Sequence, residues 1–153
     1  MIGLLQRVSH AQVAVEGVVI AAIERGALVM VGIEAGDGTV QANRLLERLL
    51  GYRVFPDDEG RMNRSLRDIG GGLLLVPQFT LAADTGKGAR PSFSTAAPPE
   101  TGQRLFEFLV TAAQACYPHV AWGRFGADMK VTLTNEGPVT FWLQVRPGGS
   151  VPS

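Results

Sequence analysis

The sequence has a single cysteine, Cys116, so no disulfide can form within the chain, which fits a reducing compartment. It has two histidines, His10 and His119, and neither stands at metal-ligand spacing from a second His or Cys. No metal and no cofactor is therefore expected. No run of about 18 apolar residues occurs, which argues against a membrane span. Met1 to His10 alternates apolar and polar residues and lacks the basic start and apolar block of a secretory signal. A cytoplasmic protein is the expectation. Also missing are a Gly-x-Ser-x-Gly elbow, a Walker loop and a Gly-x-Gly-x-x-Gly turn. No conventional catalytic triad can be assembled from what remains. Any catalysis must draw on backbone donors, shape and the substrate itself.

Lysine is scarce too. Lys87 and Lys130 are the only two, against twelve arginines, and the formal net charge is zero. A neutral total argues against an indiscriminate polyanion binder. Arginine offers phosphate a planar fork of donors, so a local phosphate site stays open beside the plainer reading, a codon bias toward arginine.

What is present suits a folded domain. The chain has 153 residues, of which 46% are hydrophobic and 18% charged. One domain is expected over residues 1–146, followed by a loose tail over 147–153, rich in Pro, Gly and Ser. Val13 and Val15 alternate with polar or small neighbours, as in a strand. Glu16-Gly17 predicts a hairpin turn, Val18 to Ile23 the return strand, and Ala27 to Ile33 a strand buried on both faces. Asp37 or Thr39 could cap a helix whose apolar stripe runs through Val40, Leu46, Leu49 and Leu50. Tyr52 to Phe55 predicts a short strand. Leu73 to Val76 predicts a buried one. Pro98-Pro99 opens a second helix, with Leu105, Leu109, Ala112 and Cys116 on its apolar stripe, which makes Cys116 a core residue rather than a nucleophile. Val120 to Phe125, Lys130 to Leu133 and Val139 to Val145 predict further strands. The fold class is α+β: a strand-rich, barrel-like mixed or antiparallel sheet with two main helices.

Two segments carry chemistry. Val76-Pro77-Gln78-Phe79-Thr80-Leu81 runs from a strand into a loop. One reading is a strand end with a bulge at Pro77 and a Thr80 bonded locally. The other is that N–H groups at the strand end face a cleft and stabilise an oxyanion. Asn135-Glu136-Gly137-Pro138-Val139-Thr140 reads as a tight turn between strands. A cis bond before Pro138 would instead turn two successive carbonyls the same way, able to grip an ammonium group.

Together these segments resemble the D-aminoacyl-tRNA deacylase family, and the likeness covers Met1 to about Val145. Further matching stretches are Leu5-Gln6-Arg7-Val8, Gly51-Tyr52-Arg53-Val54-Phe55, Met62-Asn63-Arg64-Ser65, Ala83-Asp84-Thr85, Gly88-Ala89-Arg90-Pro91-Ser92-Phe93 and Gly123 to Met129. The resemblance implies a homodimer with active sites at the subunit interface. It implies that Gln78, Phe79 and Thr80 form the catalytic segment, and that Pro77, Gly137, Pro138, Val139 and Thr140 bind substrate. The family's Gly-Pro bond is cis, and its carbonyls hold the α-amino group of the aminoacyl ester. An L side chain would then collide with backbone, while glycyl-tRNA could also be cleaved. The ribose 2′-hydroxyl would help to activate water, with Thr80 positioning or donating rather than attacking.

Arg7, Lys87, Arg90 and Arg124 are candidates for holding tRNA, by nearness to the motifs; ordinary surface charge is the alternative for each. One departure matters. The family's usual motif has serine where this chain has Pro77, and proline deletes an N–H donor and fixes φ. A related editor of mischarged alanyl-tRNA also carries proline there, but with a small residue in place of Phe79 and a trans Gly-Pro bond. The sequence looks like the D-specific type. An editor of L-alanyl- or glycyl-tRNA, a non-catalytic tRNA-binding dimer and a small-molecule esterase are the competing readings.

Overall fold

The computed structural model describes residues 1–148 of the chain. Its frame is one long strand, β1 (Ile2–Val15). Glu16 and Gly17 both take positive φ, 49° and 78°, the pair of left-handed residues that matches the twist of a tight hairpin. β2 (Val18–Ile23) then returns along the second half of β1. β3 (Gly26–Gly32) runs antiparallel to the first half. After α1 (Thr39–Gly51), β4 (Phe55–Pro56) and β5 (Met62–Arg64) make a small separate hairpin. The four-residue α2 (Leu66–Ile69) leads into β6 (Gly72–Pro77), which lies parallel to β3. A short 3-10 turn (Phe79–Ala82), a long loop and α3 (Pro99–Cys116) follow. β7 (Val120–Trp122) adds parallel to β6, and β8 (Met129–Gln144) pairs antiparallel with β1 along almost its whole length.

The result is a strand-rich, mixed sheet curled into a nearly closed barrel with two main helices, as expected for the α+β class. Successive residues of a strand point to opposite faces, and both faces of β6 are apolar. Leu73 and Leu75 join Leu5 and Val29 against Leu45 and Leu49 of α1 and Leu105 and Leu109 of α3. Leu74 and Val76 point the other way and fill the barrel with Val8, Val13 and Leu28. No helix among the described residues is long and apolar enough to cross a membrane.

Several local expectations are corrected. The two predicted strands at the C-terminal end are one strand, β8, because both segments pair with the same partner, β1. The strand expected over 120–125 stops at Trp122, where Gly123 donates its last sheet bond to Leu75 O. The strand expected over 52–55 is only Phe55–Pro56. Gly38, not Asp37 or Thr39, is the N-cap of α1, its N–H donating to Gln41 Oε1 at 2.8 Å. Asp37 is buried and receives the Met1 ammonium, which also reaches Glu34. Val40, in the first turn of α1, and Cys116, the last residue of α3, are exposed, and Ala113 and Tyr117 take the core positions at that end of α3. Of the tail expected over 147–153, Pro147 and Gly148 form a turn, and residues 149–153 lie outside the described residues.

Candidate active site

β6 ends at Pro77 without a break in register, so of the two readings of this segment the one with a bulge there is not met. The strand's donors explain why proline fits. Gln78 N–H donates to Val31 O of β3 at 2.8 Å, whereas Leu73 N–H donates to His119 O beside β7 at 2.8 Å. Odd-numbered residues of β6 thus face β7, and β7 has stopped pairing before position 77 is reached. A missing N–H there removes no sheet bond.

The chain then tightens into the 3-10 turn. Gly32 permits this: a Cβ on it would stand 2.8 Å from Leu81 Cβ, so the turn seats on β3 only where no side chain intervenes. Leu81 N–H donates to Gln78 O, but the Phe79 and Thr80 N–H groups, at the start of the turn, meet no acceptor among the described residues. The first donors of any helical turn are left unmatched in this way. Gln78 Nε2 donates to Thr80 Oγ1, fixing both side chains and leaving the Thr80 hydroxyl hydrogen for another acceptor.

Phe79 is 61% exposed. Its ring tilts 43° against that of Phe93, with centroids 5.3 Å apart. These rings, with Pro77, Pro98 and Phe125, border a mostly apolar cleft of about 540 Å³. Phe93, Pro98 and Phe125 were not singled out from sequence as substrate contacts. Two of them lie in stretches that carried the family resemblance, the one available signal.

The second motif stands elsewhere in the protomer. In the β1–β8 ladder, Gln6 faces Thr140 and Val8 faces Asn135, so two residues of advance on β1 face five on β8. The four residues Glu136 to Val139 stand against Arg7 alone, so β8 bulges into a loop there, with Val139 buried in the core, and the Gly137–Pro138 peptide bond in it is cis. Gly137 has φ 127°, and a Cβ there would come within 2.8 Å of Val139 Cγ2 and 2.9 Å of Arg7 Nη2, so only glycine fits. Asn135 braces the loop from inside: its Oδ1 accepts from Val139 N–H and its Nδ2 donates to Thr140 Oγ1, both at 2.9 Å. Arg7 braces it from β1, donating through Nε to Glu136 O at 3.0 Å and through Nη1 to Val54 O at 2.8 Å. The bracing role of Asn135 was not read from sequence, although an Asn at the head of a Gly-Pro loop is a common source of such local bonds.

No residue from 135 to 140 lines the Phe79 cleft. β8 is three strands from β6 in the sheet, by way of β1 and β3, or about 14 Å at ordinary strand spacing. One protomer therefore does not bring the two motifs together. Of the basic candidates, Arg7 is engaged with two carbonyls, Lys87 and Arg90 sit on the exposed loop before α3, and Arg124 is exposed beside the cleft.

The chain was compared with known proteins. Residues 4–144 match the family model described as D-Tyr-tRNA(Tyr) deacylase. The chain belongs to that family. A D-aminoacyl-tRNA deacylase of Nitrosococcus oceani is 64% identical over 96% of this chain and 95% of its own length. One from Alkalilimnicola ehrlichii is 61% identical over 98% of this chain and 100% of its own. Among solved structures, one titled c-Myc DNA Unwinding Element Binding Protein aligns with a TM-score of 0.91 and 34% identity, covering 95% of this chain and 99% of that one. A probable eukaryotic D-amino acid tRNA deacylase aligns at 0.76 with 19% identity, over 94% and 98%, which shows the shared fold.

Proposed function

We propose that this chain is a hydrolase that frees tRNA from D-aminoacyl esters, at a site completed by two copies of the chain. The carrying observation is the separation of the two motifs within a protomer, each presenting backbone groups outward. In a two-fold dimer the contact is self-complementary. The Phe79 segment of each copy then meets the Gly137–Pro138 loop of the other. The sheet face offers a surface for it: Trp142, 53% exposed, lies in one cross-strand row with half-buried Leu4 and Met30.

In this reading the terminal adenine enters the cleft edged by Phe79 and Phe93, where an aromatic stack suits a base. The ester carbonyl points at the Phe79 and Thr80 N–H groups. The carbonyls of the second copy's loop receive the α-ammonium. Water adds to the acyl carbon, the developing oxyanion is held by the two N–H donors, and the bond to the ribose oxygen breaks as that oxygen regains a proton. One such donor can be worth about 2.7–4 kcal/mol of barrier. The neighbouring ribose 2′-hydroxyl assists the water, and Thr80 orients rather than attacks. An L side chain meets backbone and is rejected; glycine has none and is cleaved. Lys87, Arg90 and Arg124 guide the tRNA.

The test compares D-tyrosyl-, L-tyrosyl- and glycyl-tRNA in the presence of a chelator. Loss of the D and glycyl esters with the L ester intact is expected. Equal loss of L would end the exclusion argument. Cleavage confined to alanyl-tRNA would move the chain to the related editor that also carries proline at the position of Pro77. Sedimentation settles the dimer: a monomer with full activity would refute a shared site.

A further inference from the structure

A second concavity, of about 740 Å³, lies where the barrel fails to close. Its floor is made by the edges of β2 at Ile20–Ala22 and β7 at Val120–Trp122, which do not pair with each other. One wall is α3 from Gln103 to Gln114, a length of about 16 Å at the helical rise. The groove joins the candidate active site, because Phe125 lines both. Gly102 lets that ring seat against α3: a Cβ there would stand 3.3 Å from Phe125 Cζ.

The lining is chemically mixed. Trp122 presents a ring that is 40% exposed. Arg124 is exposed, and its guanidinium has no ion pair or hydrogen bond among the described residues. Gln103, Thr111 and Gln114 offer amides and a hydroxyl. The groove's one carboxylate, Glu107, accepts from Gln103 Nε2 at 3.2 Å.

We propose that this groove receives the unpaired nucleotides that precede the terminal adenosine of the tRNA substrate. The assignment deepens the hydrolase reading above and rests on it. An exposed aromatic ring stacks bases of any sequence, and an unengaged arginine suits the phosphate between them. Unpaired strand edges and side-chain amides can bond base edges. A peptide adding as a strand is the poorer fit, since the groove exposes only three residues of either edge, Ile20–Ala22 of β2 and Val120–Trp122 of β7. Continuity through Phe125 sets the path: a tail whose last base fills the Phe79 cleft passes next along α3.

The experiment uses two substrates, full-length D-tyrosyl-tRNA and the D-tyrosyl ester of adenosine, which lacks the preceding nucleotides. Trp122→Ala and Arg124→Ala are each compared with the wild type, with unfolding temperature as the check on folding. The expected result is a KM for the tRNA raised about tenfold or more, with the loss on tRNA exceeding the loss on the nucleoside ester by that factor. Equal losses on both substrates would overturn the proposal. So would unchanged tRNA kinetics, which would leave the groove to a polypeptide. A wild type that cleaves neither ester would sink the hydrolase reading itself, and this assignment with it.

Discussion

Replacing Arg7 by alanine removes two charge-assisted hydrogen bonds at once, to Val54 O at 2.8 Å and Glu136 O at 3.0 Å. Hydrogen bonds to charged groups contribute about 1.5–3 kcal/mol each. The one to Glu136 is exposed and lies at the low end. Val54 is buried, so its carbonyl loses its partner away from water. A loss of about 3 kcal/mol follows, or roughly 6–12 °C in unfolding temperature for a chain of this size. Arg7→Lys can reach one carbonyl but not both, and recovers about half. Deacylation falls with stability, because the Gly137–Pro138 loop loses its outer brace. The competing account is a direct phosphate contact. Removing one of those would lower the slope of log affinity against log salt by about 0.7–0.9 and leave folding unchanged. Calorimetry and tRNA binding across a salt series separate the two. An unaltered unfolding temperature with a reduced salt slope would refute the bracing argument.

Two other outcomes follow from the same geometry. Gly32→Ala drives a methyl group into Leu81 Cβ; overpacking of this kind costs about 1–3 kcal/mol, and displacement of the Phe79 and Thr80 donors should cut deacylation by about tenfold or more. Normal activity and stability in that variant would dissociate the 3-10 turn from the site. The second concerns acid. Burial pushes the Glu34 carboxyl up, but hydrogen bonds from the Met1 ammonium and Gln144, with the charges of that ammonium and Arg146, bring it below its usual value. A carboxyl lowered by folding stabilises the fold above the unfolded-state value of 4.5 and loses that contribution as pH falls through the folded-state value. Asp37 beside it is raised, burial outweighing its bond to the ammonium, and so acts in the opposite sense. Glu34→Gln should therefore flatten the loss of stability below pH 4.5, by at most about 1.4 kcal/mol per pH unit. An unchanged acid limb, measured by denaturant unfolding, would show that Glu34 is not titrating there.

The sequence revealed those elements whose period and punctuation agree. Glu16-Gly17 sits between two strand-like runs, and its backbone has the left-handed pair such a turn requires. Pro98-Pro99 opens α3, as its fixed φ and absent donors suit a first turn. The errors fall where a distant partner decides. Nothing local says that Lys130–Leu133 and Val139–Gln144 share one partner strand; only the length of β1 makes them a single strand with an extruded loop. Asp37 has the chemistry of a helix cap but is claimed by the Met1 ammonium, a contact 36 residues away in sequence. Cys116 keeps helical spacing with Leu105 and Leu109, yet it is exposed, and Ala113 and Tyr117 fill the core at that end of α3 instead. The same holds at the candidate site. Gln78 to Thr80 and Gly137 to Thr140 were visible as motifs, but their separation by three strands follows from topology alone.

That separation bears on how a site with no histidine, cysteine or carboxylate in its proposed machinery can be selective. The proposed groups are mostly backbone: two N–H donors opening a 3-10 turn, and carbonyls of a loop held by Asn135 and Arg7. Such groups cannot change rotamer, so their positions are as rigid as the strands beneath them. Pro77 belongs to the same economy. It stands where β6 has no remaining sheet partner for its N–H, so proline restricts the chain just before the turn without removing a sheet bond. A side-chain site would tolerate small shifts and re-form. A backbone site tolerates few, and this is why its supports are a glycine beneath the turn, a glycine within the loop and an arginine spanning two carbonyls.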